Sequence, residues 1–239
     1  MNKISALYAE QLTVNIAHVR ACIAEAAEKA GRNPAEITLV AVSKTQPVEF
    51  VELAYNLGIS DFGENRVQEA LLKIAHFQPQ GLRWHLIGHL QSNKASKVAG
   101  AFACVHSVDN LHLAQTLNRY AAEQGQLLPI LLQVNVAGEV SKEGMSPTEA
   151  PELARQIAAL PALQIAGLMT IAPLASNPEE VRPVFRELRL LREHLRNEVN
   201  TSDWAQLSMG MTNDYGVAIE EGATLVRVGR AIFGQRATH

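Results

Sequence analysis

The chain has 239 residues, 47% of them hydrophobic and 19% charged, a balance that suits a globular core and argues against disorder. Its formal net charge of −3 leaves no electrostatic footprint for nucleic acid or for an anionic membrane surface. Acidic and polar residues interrupt the amino-terminal apolar stretch, which excludes a secretory leader, and no run approaches the ~18 apolar residues of a membrane span, so a cytoplasmic location is expected.

Ile4, Leu7, Leu12, Ile16, Val19, Ile23 and Ala27 recur at helical spacing, which predicts a helix over 3–30 closed by Gly31. No strand precedes it, so it belongs outside the repeating unit that follows. From residue 37 strands and helices alternate. Strands are expected at 37–43, 59–63, 82–88, 102–108, 128–136, 163–169, 205–209 and 224–229. Between them the pattern predicts helices at 47–58, 64–77, 92–100, 109–125, 146–160 and 213–221, with Asp109 as an N-cap. The longest helix follows the sixth strand, and Pro183 either starts it or kinks it. The strands are near-continuous apolar runs, which suits parallel strands covered on both faces. Eight such units close into an α/β fold, a single (β/α)8 TIM barrel domain over residues 1–239 with an extra N-terminal helix. Cys22 and Cys104 fall in a helical and a strand pattern and are expected as buried thiols.

In such barrels chemistry sits at the carboxyl ends of the strands. Here those ends carry Lys44, then Glu64 and Asn65, His85 to His89, Ser107 and Asp109, Asn135, Thr170, the run 208–212, and 227–230. Lys44 closes an apolar strand, so low-dielectric walls lower its pKa and leave an amine able to condense with an aldehyde. A snorkelling lysine or an ion-pair partner would look the same. The loops after strands seven and eight often hold phosphate in this architecture. Ser208, Gly210 and Thr212 lie on one and Gly229 and Arg230 on the other, although plain turn chemistry also uses such residues. Arg227 lies inside an apolar strand and needs an acceptor, either a carboxylate at the mouth or a pyridine nitrogen. The arginine-rich stretch 182–196 reads as a solvated helix face. The spacing of cysteine, histidine and carboxylate suggests no metal site, and no serine sits in a hydrolase turn.

The blocks VAVSKTQP, FGENRVQEA, WHLIGHLQSNK, VHSVD, QVNVAGEVSKEG, GLMTIAP and LSMGMTNDYGVAIEEGATLVRVGRAIFG run in order from residue 37 to 234. Together they resemble the signature blocks of the pyridoxal phosphate homeostasis proteins, the YggS/PROSC family. The resemblance implies the barrel of alanine racemase without its second domain, binding of pyridoxal 5′-phosphate (PLP), and a role in vitamin B6 homeostasis without an established reaction. It implies that Lys44 forms the covalent Schiff base. It sets Ser208, Gly229 and Arg230 at the phosphate, Arg227 near the pyridine nitrogen or the phosphate, and Asn65 and Asn135 near the ring. Thr212 stands where serine is commoner, and His89 where proline often follows the glycine.

Two functions compete. A carrier or reservoir would hold PLP and pass it to apo-PLP enzymes; a PLP-dependent amino-acid racemase or lyase would catalyse. An arginine on the pyridine nitrogen weakens the ring as an electron sink, and racemisation needs a base on each face. The barrel pattern ends near Gly234 without a second domain to supply the other base, and of Tyr8, Tyr55, Tyr120 and Tyr215 only Tyr215 is expected near the mouth. A carrier without robust catalysis is therefore expected, as a monomer. A barrel holding another phosphorylated ligand, such as a sugar phosphate, is a third reading. The segment 137–146 reads as a lid whose Lys142 takes the aldehyde from Lys44 during release, or as an exposed loop.

Overall fold

Short β-branched and leucine-rich runs pair side by side in chain order until the last meets the first. In the computed structural model, which describes residues 6–139, 142–199 and 204–234, they form a closed barrel of eight parallel strands. These are β1 (Thr38–Val42), β2 (Asp61–Glu64), β3 (Arg83–Leu86), β4 (Cys104–Val108), β5 (Leu128–Gln133), β6 (Leu163–Met169), β7 (Gln206–Ser208) and β8 (Leu225–Val228). Closure comes from β1 pairing β8 with Val40 opposite Arg227. The α-helices are α1 (Ala6–Lys29), α2 (Val48–Asn56), α3 (Val67–His76), α4 (Leu111–Glu123), α5 (Ala150–Ala158), α6 (Arg182–Glu198), α7 (Tyr215–Glu220) and α8 (Arg230–Phe233).

Successive side chains on a strand point to opposite faces, so each strand divides between two interiors. Val40, Cys104, Leu131, Met169 and Leu225 form a separate cluster inside the barrel. Phe62, Trp84, Leu86 and Val105 belong to the larger core between strands and helices. Gly63 faces inward, and a Cβ there would lie 3.0 Å from Ile87 and 3.1 Å from Val40, closer than side chains normally sit. The tight barrel axis thus selects glycine at this strand position.

Helix α1 is the extra helix; its expected start at residues 3–5 lies outside the described residues. It buries Leu12, Ile16, Val19, Ile23, Ala26 and Ala27. Beyond the apolar face, Asn15 donates to the Ile232 carbonyl at 2.8 Å and Lys29 meets Glu220 at 2.6 Å. Arg32, just past α1, donates to the carbonyls of Ile219 and Ala223, both at 2.8 Å. The helix is therefore tied to α7 and α8, against the last units of the barrel.

Several expectations change in detail. Residues Ser92–Lys97 form a 3-10 turn instead of an α-helix; among them only Ala95 is buried, so no apolar face anchors a longer helix. Asn110 is the N-cap of α4, accepting from Leu113 N at 2.8 Å, in place of Asp109. Pro183 sits in the first turn of α6, where its missing N–H costs nothing. Cys104 is buried, while Cys22 is only partly so. The arginine row of α6 is more than a solvated face. Arg186 and Arg182 reach the buried Glu221 carboxylate at 2.8 and 3.2 Å, and Arg182 also pairs with Glu220 at 2.6 Å.

Candidate functional site

A cavity of about 740 Å³ opens at the carboxyl ends of the strands, and Lys44, Asn65, Thr212, Arg227, Gly229 and Arg230 all line it. Ile87, Ile171, Leu174 and Met211 supply apolar wall. A smaller cavity of about 280 Å³ adjoins it, sharing Asn65, and is lined by Asn135, Lys142 and Glu143. Asn135 gives its amide to the carbonyls of Glu139 and Lys142, at 2.9 and 3.2 Å, and so braces the loop after β5. Lys142 pairs with Glu139 at 2.6 Å; Val140 and Ser141 of the expected lid lie outside the described residues.

Lys44 follows β1 on a turn that three residues outside the mouth hold in position. Lys73 of α3 donates to the Ser43 carbonyl at 2.7 Å and pairs with Glu64 at 2.6 Å and Glu69 at 2.9 Å. The Ser43 hydroxyl donates to Glu64 at 2.8 Å, and Glu69 also accepts from the Thr45 N–H. Thr45, next to Lys44, has φ of 65°, a left-handed conformation that costs a β-branched residue about 1–3 kcal/mol. The Glu69 carboxylate stabilises that turn. Burial pushes the Glu64 carboxyl up, against the pull of Lys73. Glu64 was expected at the mouth, yet it faces α3, because it is one residue out of phase with the inward positions of β2. Glu69 and Lys73, four apart on α3, went unnoticed in the sequence; their i,i+4 spacing was the available signal.

Arg227 enters the cavity from inside the barrel and is buried. It donates to Ser208 Oγ at 2.6 Å and to the Thr170 carbonyl at 2.8 Å. Burial lowers its pKa to about 10, opposed by the negative charge of Asp214, itself at the cavity wall. Burial in turn raises the Asp214 carboxyl, although Met211 N–H donates to it. Ser208 lies fully buried beneath the cavity, its oxygen already engaged by Arg227 and by His106 Nδ1 at 2.9 Å. The hydroxyls of Ser107 and Thr170 are spent on the carbonyls of Gly88 and Val134, both at 2.7 Å. Tyr215, expected nearest the mouth, is not among the lining residues; burial and a bond to Cys22 push its hydroxyl up to about 12.

Folding also assembles two groups of metal-ligating types that spacing along the chain did not display. His85, Cys104 and His106 bring their ligand atoms within 4.8 Å of one another inside the barrel, as do His89, Asp109 and Glu143 at the rim. In the first, burial pushes the Cys104 thiol up to about 12, and the facing nitrogens of the two histidines already share a hydrogen bond at 3.0 Å. In the second, His89 pairs with Glu143 at 2.6 Å.

The family of the alanine racemase N-terminal domain matches residues 14–237. A pyridoxal phosphate homeostasis protein of Pseudomonas aeruginosa is 46% identical over 93% of this chain and 94% of its own. That of Aquifex aeolicus is 44% identical over 90% of this chain and 93% of its own. The chain belongs to the pyridoxal phosphate homeostasis family. Among solved structures, PipY of Synechococcus elongatus with PLP bound superposes with a TM-score of 0.83 at 37% identity, covering 93% of this chain and all of its own. An alanine racemase of Clostridium difficile, at 14% identity and a TM-score of 0.71, shares the barrel over 96% of this chain and 58% of its own.

Proposed function

We propose that the mouth holds pyridoxal 5′-phosphate as a Schiff base on Lys44, and that the protein stores this vitamer and passes it on. The observation that carries the reading is one cavity that gathers an amine, two guanidinium groups and a hydroxyl: Lys44, Arg227, Arg230 and Thr212. Each has a task matched to its chemistry. The Lys44 nitrogen bonds the aldehyde carbon with loss of water, and Ile87 adds apolar wall to the same cavity. Thr212, Arg230 and the amide of Gly229 suit the phosphate. Arg227 suits the pyridine nitrogen, and Asn65 the ring substituents. Support comes from family membership and from PLP bound in PipY.

When bound, PLP supplies an electron sink for bonds at an amino-acid α-carbon, and a carrier must suppress that chemistry. Arg227 does so by staying cationic beside the nitrogen, which keeps that nitrogen unprotonated. A racemase also needs a second base, and the cavity wall offers no tyrosine among its lining residues. Apo forms of PLP enzymes are the recipients. Lys142, at the adjoining cavity, is offered as the second amine that accepts the aldehyde on release. Titrating the ligand-free protein with PLP tests the reading. A visible absorption band should grow to one equivalent and be missing from Lys44→Ala. A protein that takes up a sugar phosphate but stays colourless would overturn it. Exchange of amino-acid Cα protons at an enzymatic rate, dependent on Lys44, would favour the enzyme instead.

A further inference from the structure

We infer that His106 is a positioning residue for the mouth: it accepts the Ser208 hydroxyl proton and so leaves the Ser208 oxygen to aim Arg227 at the ligand. The role assigned to Arg227 rests on the PLP reading above; the proton order that fixes Ser208 does not.

The barrel axis is crossed by an unbroken run of polar side chains where an apolar filling would be expected. At the amino-terminal end, Asp61 accepts from Arg83 Nε and Nη2, both at 2.7 Å, and from Ser60 at 2.7 Å. Asp61 Oδ1 lies 2.8 Å from His85 Nε2, His85 Nδ1 lies 3.0 Å from His106 Nε2, and His106 Nδ1 lies 2.9 Å from Ser208 Oγ. Arg227 Nη1 completes the run at 2.6 Å from the same oxygen. Asp61, His85, His106, Ser208 and Arg227 are all buried. A buried polar run of this length is costly unless every member is satisfied.

Counting donors and acceptors gives one order that satisfies all of them. Its two ends are fixed. The bonds from His85, Arg83 and Ser60 hold the Asp61 carboxyl far below its ordinary value despite burial, so it only accepts. A guanidinium only donates. His85 therefore donates from Nε2, and in the order that satisfies every member its Nδ1 accepts from His106 Nε2. Burial, with the positive charge of Arg227, holds the His106 ring well below its ordinary value, so it is neutral. A neutral ring that donates from Nε2 must accept at Nδ1, and the donor there is the Ser208 hydroxyl. The Ser208 oxygen is left with its lone pairs for Arg227. In the reverse order His106 Nδ1 would donate to Ser208, whose own proton would then need a third partner. Among the described residues Ser208 Oγ has no hydrogen-bond partner beyond His106 and Arg227.

The order makes His106 the link between a carboxylate anchored at one end of the barrel and a guanidinium presented at the other. Arg227 keeps a second tether in the Thr170 carbonyl, which leaves its orientation, more than its presence, dependent on His106.

The test combines ring-nitrogen NMR on the whole ligand-free protein with PLP titration of two variants. In protein labelled with ¹⁵N-histidine, His106 Nδ1 should show the shift of an unprotonated nitrogen and Nε2 that of a protonated one. A protonated Nδ1 would overturn the inference whatever the ligand. His106→Asn keeps an acceptor oxygen near the Nδ1 position, and His106→Leu fills the space without one. His106→Asn should bind PLP within about threefold of the unmodified protein, and His106→Leu at least about tenfold more weakly, the effect of one lost charge-linked hydrogen bond. Equal affinity for His106→Leu and the unmodified protein would sink the role. If the unmodified protein took up no PLP, the functional reading would fail while the nitrogen shifts still decided the proton order.

Discussion

The side chains that decide the mouth differ in how openly the sequence displays them. Lys44 and Arg227 stand out because a cation inside an apolar strand run has few structural excuses. Glu64 misleads because a residue at a strand end faces either the mouth or the layer beside it, and one step of register settles which. Glu64 turns to α3 and becomes the counter-charge of Lys73, with side chains 0% and 7% exposed. Removing only the cation leaves a carboxylate buried without its partner, so Lys73→Met should cost about 3–5 kcal/mol in urea unfolding. Because Lys73 also holds the Ser43 carbonyl, the same variant should bind PLP more weakly, which the visible band would report. A Lys73→Met protein with unchanged unfolding midpoint would show that this pair does not hold the Lys44 turn.

At the scale of elements, the strand–helix rhythm was legible because apolar runs, glycines and prolines mark it locally. The 3-10 turn at Ser92–Lys97 was not, since its polar sequence carries no period to separate a short turn from a helix. The row of histidines across β3 and β4 was equally hidden, because only the pairing of β3 with β4, which sets His85 opposite Cys104, brings His85 and His106 together. That row carries a pH dependence. His106 is held neutral well below its ordinary value, whereas in the unfolded chain it titrates near about 6.5. Below that pH the unfolded chain binds a proton that the folded one refuses. The stability it contributes is therefore complete above about pH 6.5 and is lost as pH falls toward the folded value, by at most about 1.4 kcal/mol per unit. Urea midpoints at pH 7 and pH 5 should differ more for the unmodified protein than for His106→Asn, and that difference isolates the ring from other titrating groups. Helix α1 offers an independent test. Arg32 satisfies two carbonyls at the end of α7, so Arg32→Ala should destabilise by about 1–2 kcal/mol, read by the same unfolding measurement.

For the molecule as a whole, one barrel organises two chemistries along its axis. The carboxyl ends of the strands form a partly apolar mouth with cations in its wall, and beneath it a polar row runs to Asp61 and Arg83 at the opposite face. The count of strands and the order of motif blocks made the barrel and its mouth readable from the chain. The row beneath could not be read that way, because its members come from β2, β3, β4, β7 and β8 and meet only across the interior. Loading the protein with PLP should raise its thermal midpoint in a concentration-dependent way, as binding to the folded state alone requires. Lys44→Ala should lose most of that rise. The most direct test is chemical. Reducing the PLP-loaded protein with borohydride and mapping its peptides should locate the pyridoxyl group on the peptide containing Lys44; attachment to Lys142, to another lysine, or to none would contradict the account.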